Sequence, residues 1–285
     1  MPQSLKAIKS RIRGITSTKK LTRAMEMISV SKLKRAENLL DKSRPYFLKI
    51  EAFLKNILSG YNIKAASPLL EARPDKQKVA LCLVTSDTGL CGGYNHALLD
   101  MAEKFLSGYK PDNVRLVAFG KKGFSYFKKK GFAVPYSYIG LNGRYSPEAA
   151  MKVAVNLEEL FLSREVDEVY IAYTNIAAGH RANPALEKLF NIEYEKVKPV
   201  NYVFEPGMER VLAELLPVYV FSKIRIALLN AFTSEHKARA VAMGEATKNA
   251  RELLEGLILL RNKIRQSNIT REIIEVISSA EALKG

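Results

Sequence analysis

Helix breakers are nearly missing from both ends of this sequence. Between Gln3 and Ser59 there is one proline, Pro45, and one glycine, Gly14. From Met208 to Leu283 there is one proline, Pro217, followed by sixty-six residues without another. Cysteine is scarce as well: Cys82 and Cys91 stand nine apart with no C-x-x-C, which speaks against a disulfide scaffold or a zinc site and fits a reducing compartment. No continuous apolar stretch follows Lys6, Lys9, Arg11 and Arg13, so a secretory signal is not expected. No apolar run approaches the roughly 18 to 20 residues that span a bilayer. These absences predict a soluble chain that reaches a membrane only through something else.

What is present is a large apolar fraction, 47%, and a net charge of +16. The composition supports a real core; the charge suggests nucleic acid, an anionic surface or an acidic protein as partner. Its placement is uneven. Residues 1 to 60 carry 14 basic and 4 acidic side chains, against 19 and 16 in residues 61 to 206 and 12 and 9 in the remainder.

In the N-terminal stretch, Leu5, Ile8, Ile12, Ile15, Leu33, Ala36, Leu40, Phe47, Ile50, Leu54 and Ile57 share one heptad frame, which predicts a long helix with a partner helix. It would run about 85 Å, with a bend or local break at Pro45. Lys19, Thr22, Glu26 and Ser29 occupy core positions of that frame while Leu21, Met25 and Ile28 line up one residue round. The apolar face is therefore expected to rotate by about 100° there, either because the partner crosses to another face or because a third surface touches the helix. At the other end, Ala246, Ala250, Leu253, Leu257, Leu260, Ile264 and Ser267 form a second seam, and beyond it the stripe moves to Ile269, Ile273, Val276, Ala280 and Leu283. If unbroken from Val218, this helix would be about 100 Å long.

Between them the pattern alternates. Val79–Thr85, Val114–Phe119 and Val169–Tyr173 read as strands; Asn95–Leu106, Phe124–Lys129 and Pro147–Leu162 read as helices, the last with Ser146 as N-cap. Edge strands are expected near Ile192–Glu195 and Val200–Phe204, and Ser67–Lys78 as a linker. The expected fold is α/β plus a long antiparallel coiled coil: a Rossmann-like parallel sheet domain (61–206) inserted between an N-terminal helix (1–60) and a C-terminal helix (207–285). A bundle of shorter, broken helices is the alternative, and the missing breakers weigh against it.

Chemistry finds little purchase. His96, His180 and His236 are well separated and read as surface side chains; there is no H-E-x-x-H, no G-x-S-x-G and no carboxylate pair at a strand end. Cys91 lacks a neighbouring base and reads as an inert thiol. The loop S-D-T-G-L-C-G-G-Y-N-H-A, Ser86 to Ala97, sits where nucleotide loops sit, but Gly89, Gly92 and Gly93 match neither G-x-x-x-x-G-K-[ST] nor G-x-G-x-x-G. A tight strand-to-helix turn needing positive φ is the favoured reading; a nucleotide-binding α/β protein with coiled-coil arms stays the alternative. Nucleic acid is disfavoured because the N-terminal cations alternate with seam residues rather than stacking aromatics.

The run A-I-K-S-R-I-R-G-I-T-S-T-K-K-L-T-R-A-M-E-M-I-S-V-S-K-L-K-R-A (Ala7 to Ala36) resembles the N-terminal helix of the gamma subunit of F-type ATP synthase. A-R-A-V-A-M-G-E-A-T-K-N-A (Ala238 to Ala250) and N-K-I-R-Q-S-N-I-T-R-E-I-I-E-V-I (Asn262 to Ile277) are similar to that family's closing helix, with I-T-x-E-x-x-E kept at Ile269, Thr270, Glu272 and Glu275. The loop D-T-G-L-C-G-G-x-N is a family feature too. Ser279 stands where many members have glycine.

The resemblance implies a central-stalk rotor subunit that couples ion flow through the membrane ring to ATP synthesis or hydrolysis. It implies one copy per complex, three alpha and three beta subunits around a left-handed coiled coil, and an α/β foot on the c-ring with the epsilon subunit. Catalytic sites would lie on beta, so no catalytic residue, cofactor or metal is expected here, and no nucleic acid. The expected location is peripheral, on the cytoplasmic face of the inner membrane within the F1 complex. Matching positions give Lys19, Lys20, Arg23, Met25, Ile28, Arg265, Gln266, Thr270 and Glu272 as beta contacts. In N-Y-V-F-E-P (Asn201 to Pro206), Tyr202, Phe204 and Glu205 are the ring-facing candidates. Without a further cysteine pair, the redox switch of chloroplast forms is not expected.

Overall fold

The computed structural model describes residues 5–60, 67–71, 73, 77–176, 182–190, 192, 202, 204, 205 and 207–282. Two helices are far longer than the other elements. Helix α1 is Leu5–Gly60 and helix α5 is Met208–Ala282. Each continues as helix past its internal proline, Pro45 or Pro217, whose own N–H is missing from the ladder, so the expected local break at Pro45 does not occur. Between them lie strand β1 (Val79–Val84), α2 (Tyr94–Leu106), β2 (Val114–Phe119), α3 (Lys121–Lys129), β3 (Tyr136–Tyr138), α4 (Pro147–Leu162), β4 (Glu168–Ile176) and β5 (Ala182–Phe190). Helix α4 has its expected bounds and its expected cap, Ser146 Oγ accepting the Ala149 amide at 3.2 Å. The segment expected to be a linker contains a short 3-10 turn, Pro68–Leu70, whose Leu69 is buried.

The chain divides into two compact units, residues 29–239 and residues 1–28 with 240–285.

In the 29–239 unit a five-stranded sheet runs in the order β3-β2-β1-β4-β5, parallel except for the antiparallel β4–β5 pair. Strand β1 is buried along its whole length, and its pleat divides two cores. Ala80, Cys82 and Val84 face α4, the end of α1 (Ile50, Leu54, Ile57) and α5 from Leu212 to Phe232; Val79, Leu81 and Leu83 face α2 and Phe127 of α3. Strands β3 and β5 are additions to the sequence reading. Three residues of Y-S-Y are too few to show a period, and Pro184 within β5 masks it as a strand; proline is accommodated because β5 is an edge. Of the edge strands expected instead, Ile192–Glu195 and Val200–Phe204, most residues lie outside those described.

In the other unit, residues 5–28 of α1 run antiparallel to α5. Thr22 meets Thr247 and Glu26 meets Gly244, partner numbers falling as α1 advances. Of the two expected causes of the rotated apolar face, a crossing partner is corrected here. Thr22 is buried at a frame position and Ile28 is 57% exposed, so the partner stays on one face and the polar residues remain in the seam. A hydroxyl pair can be satisfied there, and Thr247 Oγ1 sits 2.8 Å from Thr22 Oγ1 while donating to the Met243 carbonyl at 2.7 Å. The seam on α5 is corrected too: Leu253 is 59% exposed and Leu254 only 9%. The buried positions are Met243, Ala250 and Leu254, with Thr247, Leu257, Arg261 and Ile264 half-buried. Ala250, Leu257 and Ile264 fix one slot every seven residues. The second slot falls four rather than three residues on, and only the partner decides between two leucines standing side by side.

Candidate functional site

The loop after β1 lies where the sheet order changes direction, β2 and β3 on one side of β1 and β4 on the other. In doubly wound folds that crevice, at the carboxyl ends of the strands, receives the ligand. Here α5 closes it. Ser234 donates to the Thr174 carbonyl at the end of β4 (2.9 Å), and Tyr94 at the start of α2 donates to the Ala231 carbonyl (3.2 Å). Arg239 donates through Nη2 to the Thr88 carbonyl (3.1 Å) and hydroxyl (3.2 Å), and through Nε to the Gly89 carbonyl (3.3 Å).

Side chains of the loop and of α2 engage backbone amides around it. Asp87 Oδ1 accepts from the amides of Lys121 and Gly140 at 3.0 Å, and Oδ2 from Asn142 at 2.7 Å. Asn95 Oδ1 accepts the Ser86 amide at 3.0 Å. The carboxylate of Asp87 is thus an internal anion seated among three amides, one of them at the N-terminus of α3. Gly120 makes the approach possible: its φ is +92°, and a Cβ there would fall 2.1 Å from the Thr85 carbonyl oxygen. The expected positive-φ turn is present, with φ +57° at Gly92 and +62° at Leu90.

Behind the loop sits a buried charged cluster. Arg239 Nη1 donates to Glu235 at 2.7 Å, with both side chains almost fully buried. Burial pushes the Glu235 carboxyl above its ordinary value, against the pull of Arg239. His236 is 1% exposed and its Nε2 lies 2.9 Å from the Gly143 carbonyl; this corrects its reading as a surface side chain. The carbonyl needs a proton on Nε2, while Nδ1 has no partner among the described residues. Burial lowers its pKa to about 4, so the ring is neutral near pH 7. Lys32 of α1 donates to the Asn142 carbonyl at 3.1 Å. Cys91 is buried and its thiol is pushed up by that burial, in keeping with an inert group. His96 is exposed and pairs with Asp100, and His180 lies outside the described residues. Sequence reasoning missed Asp87, Glu235 and Arg239. The available signal was a charged i, i+4 pair, Glu235 and Arg239, just after the apolar run of α5 that ends at Phe232.

The residues singled out for partner contact fall in two groups. Lys19 and Arg23 line a cleft of about 380 Å³ with Glu26, Gly244, Thr247, Lys248 and Arg251; Arg23 holds Glu26 at 3.0 Å. Lys20 and Ile28 are exposed beside it and Met25 is half-buried. Arg265, Gln266, Thr270 and Glu272 stand on a stretch of α5 that is exposed throughout, together with Ile269, Ile273 and Val276. In the 29–239 unit, Tyr202 packs edge-on to Phe53 of α1, centroids 5.2 Å apart, and its hydroxyl accepts from Asn56 at 3.4 Å. Phe204 packs on Tyr202 and the core, and Glu205 is exposed.

Two long terminal helices flanking an α/β sheet, with the usual ligand crevice filled by one of those helices and apolar side chains left bare along the other end of it, define a scaffold of the kind that meets partner subunits. The whole chain has relatives built this way. It matches the family model described as ATP synthase over residues 4–283. Similar proteins include the ATP synthase gamma chains of Syntrophobacter fumaroxidans, 37% identical with 99% of each chain covered, and of Fusobacterium nucleatum, 34% identical with 98% of this chain and 99% of that one covered. The chain belongs to the ATP synthase gamma-chain family. Its fold is that of a Tetrahymena thermophila mitochondrial ATP synthase central-stalk chain (TM-score 0.60, 21% identity, 79% of this chain and 99% of that one). A Euglena gracilis mitochondrial ATP synthase rotor chain is similar as well (TM-score 0.62, 14% identity, 93% and 98%).

Proposed function

We propose that this chain is the turning element of an ATP synthase central stalk, coupling ion movement through a membrane ring to ATP synthesis or hydrolysis on neighbouring subunits. Its own part is mechanical and non-catalytic. The three alpha and three beta subunits surround residues 1–28 and 240–285, while the α/β portion carries the epsilon subunit and the c-ring contact, on the cytoplasmic face of the membrane. The functional division follows 1–60, 61–206 and 207–285. The observation that carries this reading is the last part of α5, helical to Ala282 and exposed along an apolar stripe at Ile269, Ile273 and Val276. Exposed apolar surface of that extent marks an interface.

In this reading Met25 and Ile28 touch beta through soft, exchangeable apolar contact, and Lys19, Lys20 and Arg23 meet acidic beta segments. Arg265, Gln266, Thr270 and Glu272 engage beta near the tip, and Tyr202, Phe204 and Glu205 belong to the ring-facing foot. Co-purification from the native cells tests it. A tagged chain is expected to bring down alpha and beta subunits with ATP hydrolysis; recovery without them overturns the reading. Equilibrium dialysis of the chain alone against ATP is expected to show no specific uptake, and specific uptake would favour the nucleotide-binding alternative.

A further inference from the structure

A cavity of about 310 Å³ lies among α1, the loop after β3 and α5, wholly within the 29–239 unit. Lys32, Arg35 and Arg144 all line it, and among the described residues no aspartate or glutamate does. Leu39 and the ring of Tyr145 supply its accessible apolar lining, with Leu229 and Phe232, both almost fully buried, behind them. The guanidinium groups of Arg35 and Arg144 have no hydrogen-bond or ion-pair partner among the described residues. Lys32 spends one donor on the Asn142 carbonyl, and burial and then the charge of Arg144 lower its pKa. The acid that acts on Lys32 from α5, Glu235, is already bound by Arg239 at 2.7 Å. Tyr145 buries its hydroxyl without a partner among the described residues.

Two arginines without a partner among the described residues, a lysine and apolar side chains lining one cavity ask for a ligand with both characters. We propose that this cavity is a binding site for a small amphipathic organic anion, its carboxylate or phosphate held by Arg35, Arg144 and Lys32 and its apolar body resting on Leu39 and the ring of Tyr145. A free small molecule suits the site better than a protein segment, because both chemistries converge within a volume at the small end of ligand pockets, about 300 to 1,000 Å³. Bound there, the anion ties α1 to α5 through the loop between them. The proposal stands apart from the central-stalk reading.

Isothermal titration of the full chain with phenylbutyrate, phenylbutanol and acetate tests it. Phenylbutyrate is expected to bind saturably, one per chain, with phenylbutanol and acetate each about tenfold weaker or more, since each lacks one half of the recognition. Arg35→Ala and Arg144→Ala remove exposed side chains, so both should melt as the parent does while binding phenylbutyrate about tenfold more weakly. Lys19→Ala, in the other unit, should leave binding unchanged. The proposal is overturned by absence of saturable binding, by phenylbutanol binding as well as phenylbutyrate, or by unaltered affinity in both arginine variants. Loss of a protein partner by those variants without any phenylbutyrate site equally overturns it and makes the cavity a protein contact.

Discussion

One helix, α5, lives two different lives. From Leu212 to Arg239 nearly every turn buries something: Leu216, Ile224, Leu228 and Phe232 in the core of the sheet, then Ser234, Glu235, His236 and Arg239 in a polar cluster. From Ala240 onward it shares with α1 a thin seam held by Thr22 and Thr247, and from Arg265 every described residue is exposed. Sixteen of the 28 residues from Leu212 to Arg239 are apolar and 20 of the 43 from Ala240 to Ala282, so composition separates them only weakly. What differs is where the polar groups go. In the first half they satisfy one another inside the protein and lock a loop to the helix; in the second they sit in the seam and leave aliphatic side chains outside. A stretch whose own contacts are sparse gets its ordering from partners, which is the physical sense of an exposed apolar stripe.

The sharpest way to break the contrast is at Arg239. Arg239→Ala would leave Glu235 buried without its cation and free the Thr88 and Gly89 carbonyls. Stability is expected to fall by about 3–5 kcal/mol, read by urea denaturation of the full chain. Adding Glu235→Gln should recover part of the loss; no recovery would mean that the charge pair is not the cause.

His236 gives the next largest effect, and its sign is fixed. Folded, its pKa is about 4, below the unfolded value of about 6.5. The neutral ring therefore contributes stability above pH 6.5 that is lost as pH falls toward 4, on the order of 3 kcal/mol at most. Glu235, raised in the folded state, works in the opposite direction, so the difference between parent and His236→Gln isolates the histidine. That difference should shrink between pH 7 and 4; a constant difference would contradict a buried neutral imidazole.

Smaller changes are expected in the thin seam. Replacing both hydroxyls, Thr22→Val with Thr247→Val, should change stability by about 1 kcal/mol or less, because two apolar groups of the same shape replace a satisfied pair. Thr22→Val alone should cost more than the double change, and a double-mutant cycle would show it. Smallest of all in stability, within about 0.5 kcal/mol, is Met25→Lys. Its effect is expected instead in the assembled complex, as a lower yield of ATP per ion with assembly intact. Unchanged coupling would remove Met25 from the proposed bearing contacts.

Much of this was legible beforehand, and particular residues show why. Ser146 and Pro147 are local signals, and α4 starts there. The heptad frame of α1 depends only on spacing, so Ile8, Ala36, Leu40 and Leu54 are buried as expected. The choice between Leu253 and Leu254 is different: both are leucine, both sit beside Ala250, and nothing within α5 prefers either. The face rotation at Met25 was read from apolarity alone, whereas the partner helix offered Thr247 to a threonine and left Ile28 outside. His236 looked like a surface residue because its burial depends on Gly143, 93 positions away, whose φ of +68° leaves room for the ring. The loop at Ser86 to Ala97 was readable as a turn, but its partner, Arg239, was not.

By itself the sequence determined the periodic features: two long helices from missing breakers and repeating aliphatic residues, a parallel sheet from alternating strands and helices, and family membership from runs at both ends. Spacing along one chain is enough for these, because propensity and period act locally. Tertiary structure alone decided which leucine entered the seam, that Asp87 would fill the amide cluster at the sheet switch, and that Arg239, Glu235 and His236 would be buried together. Those outcomes depend on groups brought together across long stretches of chain, and buried charge is tolerated only where such partners arrive.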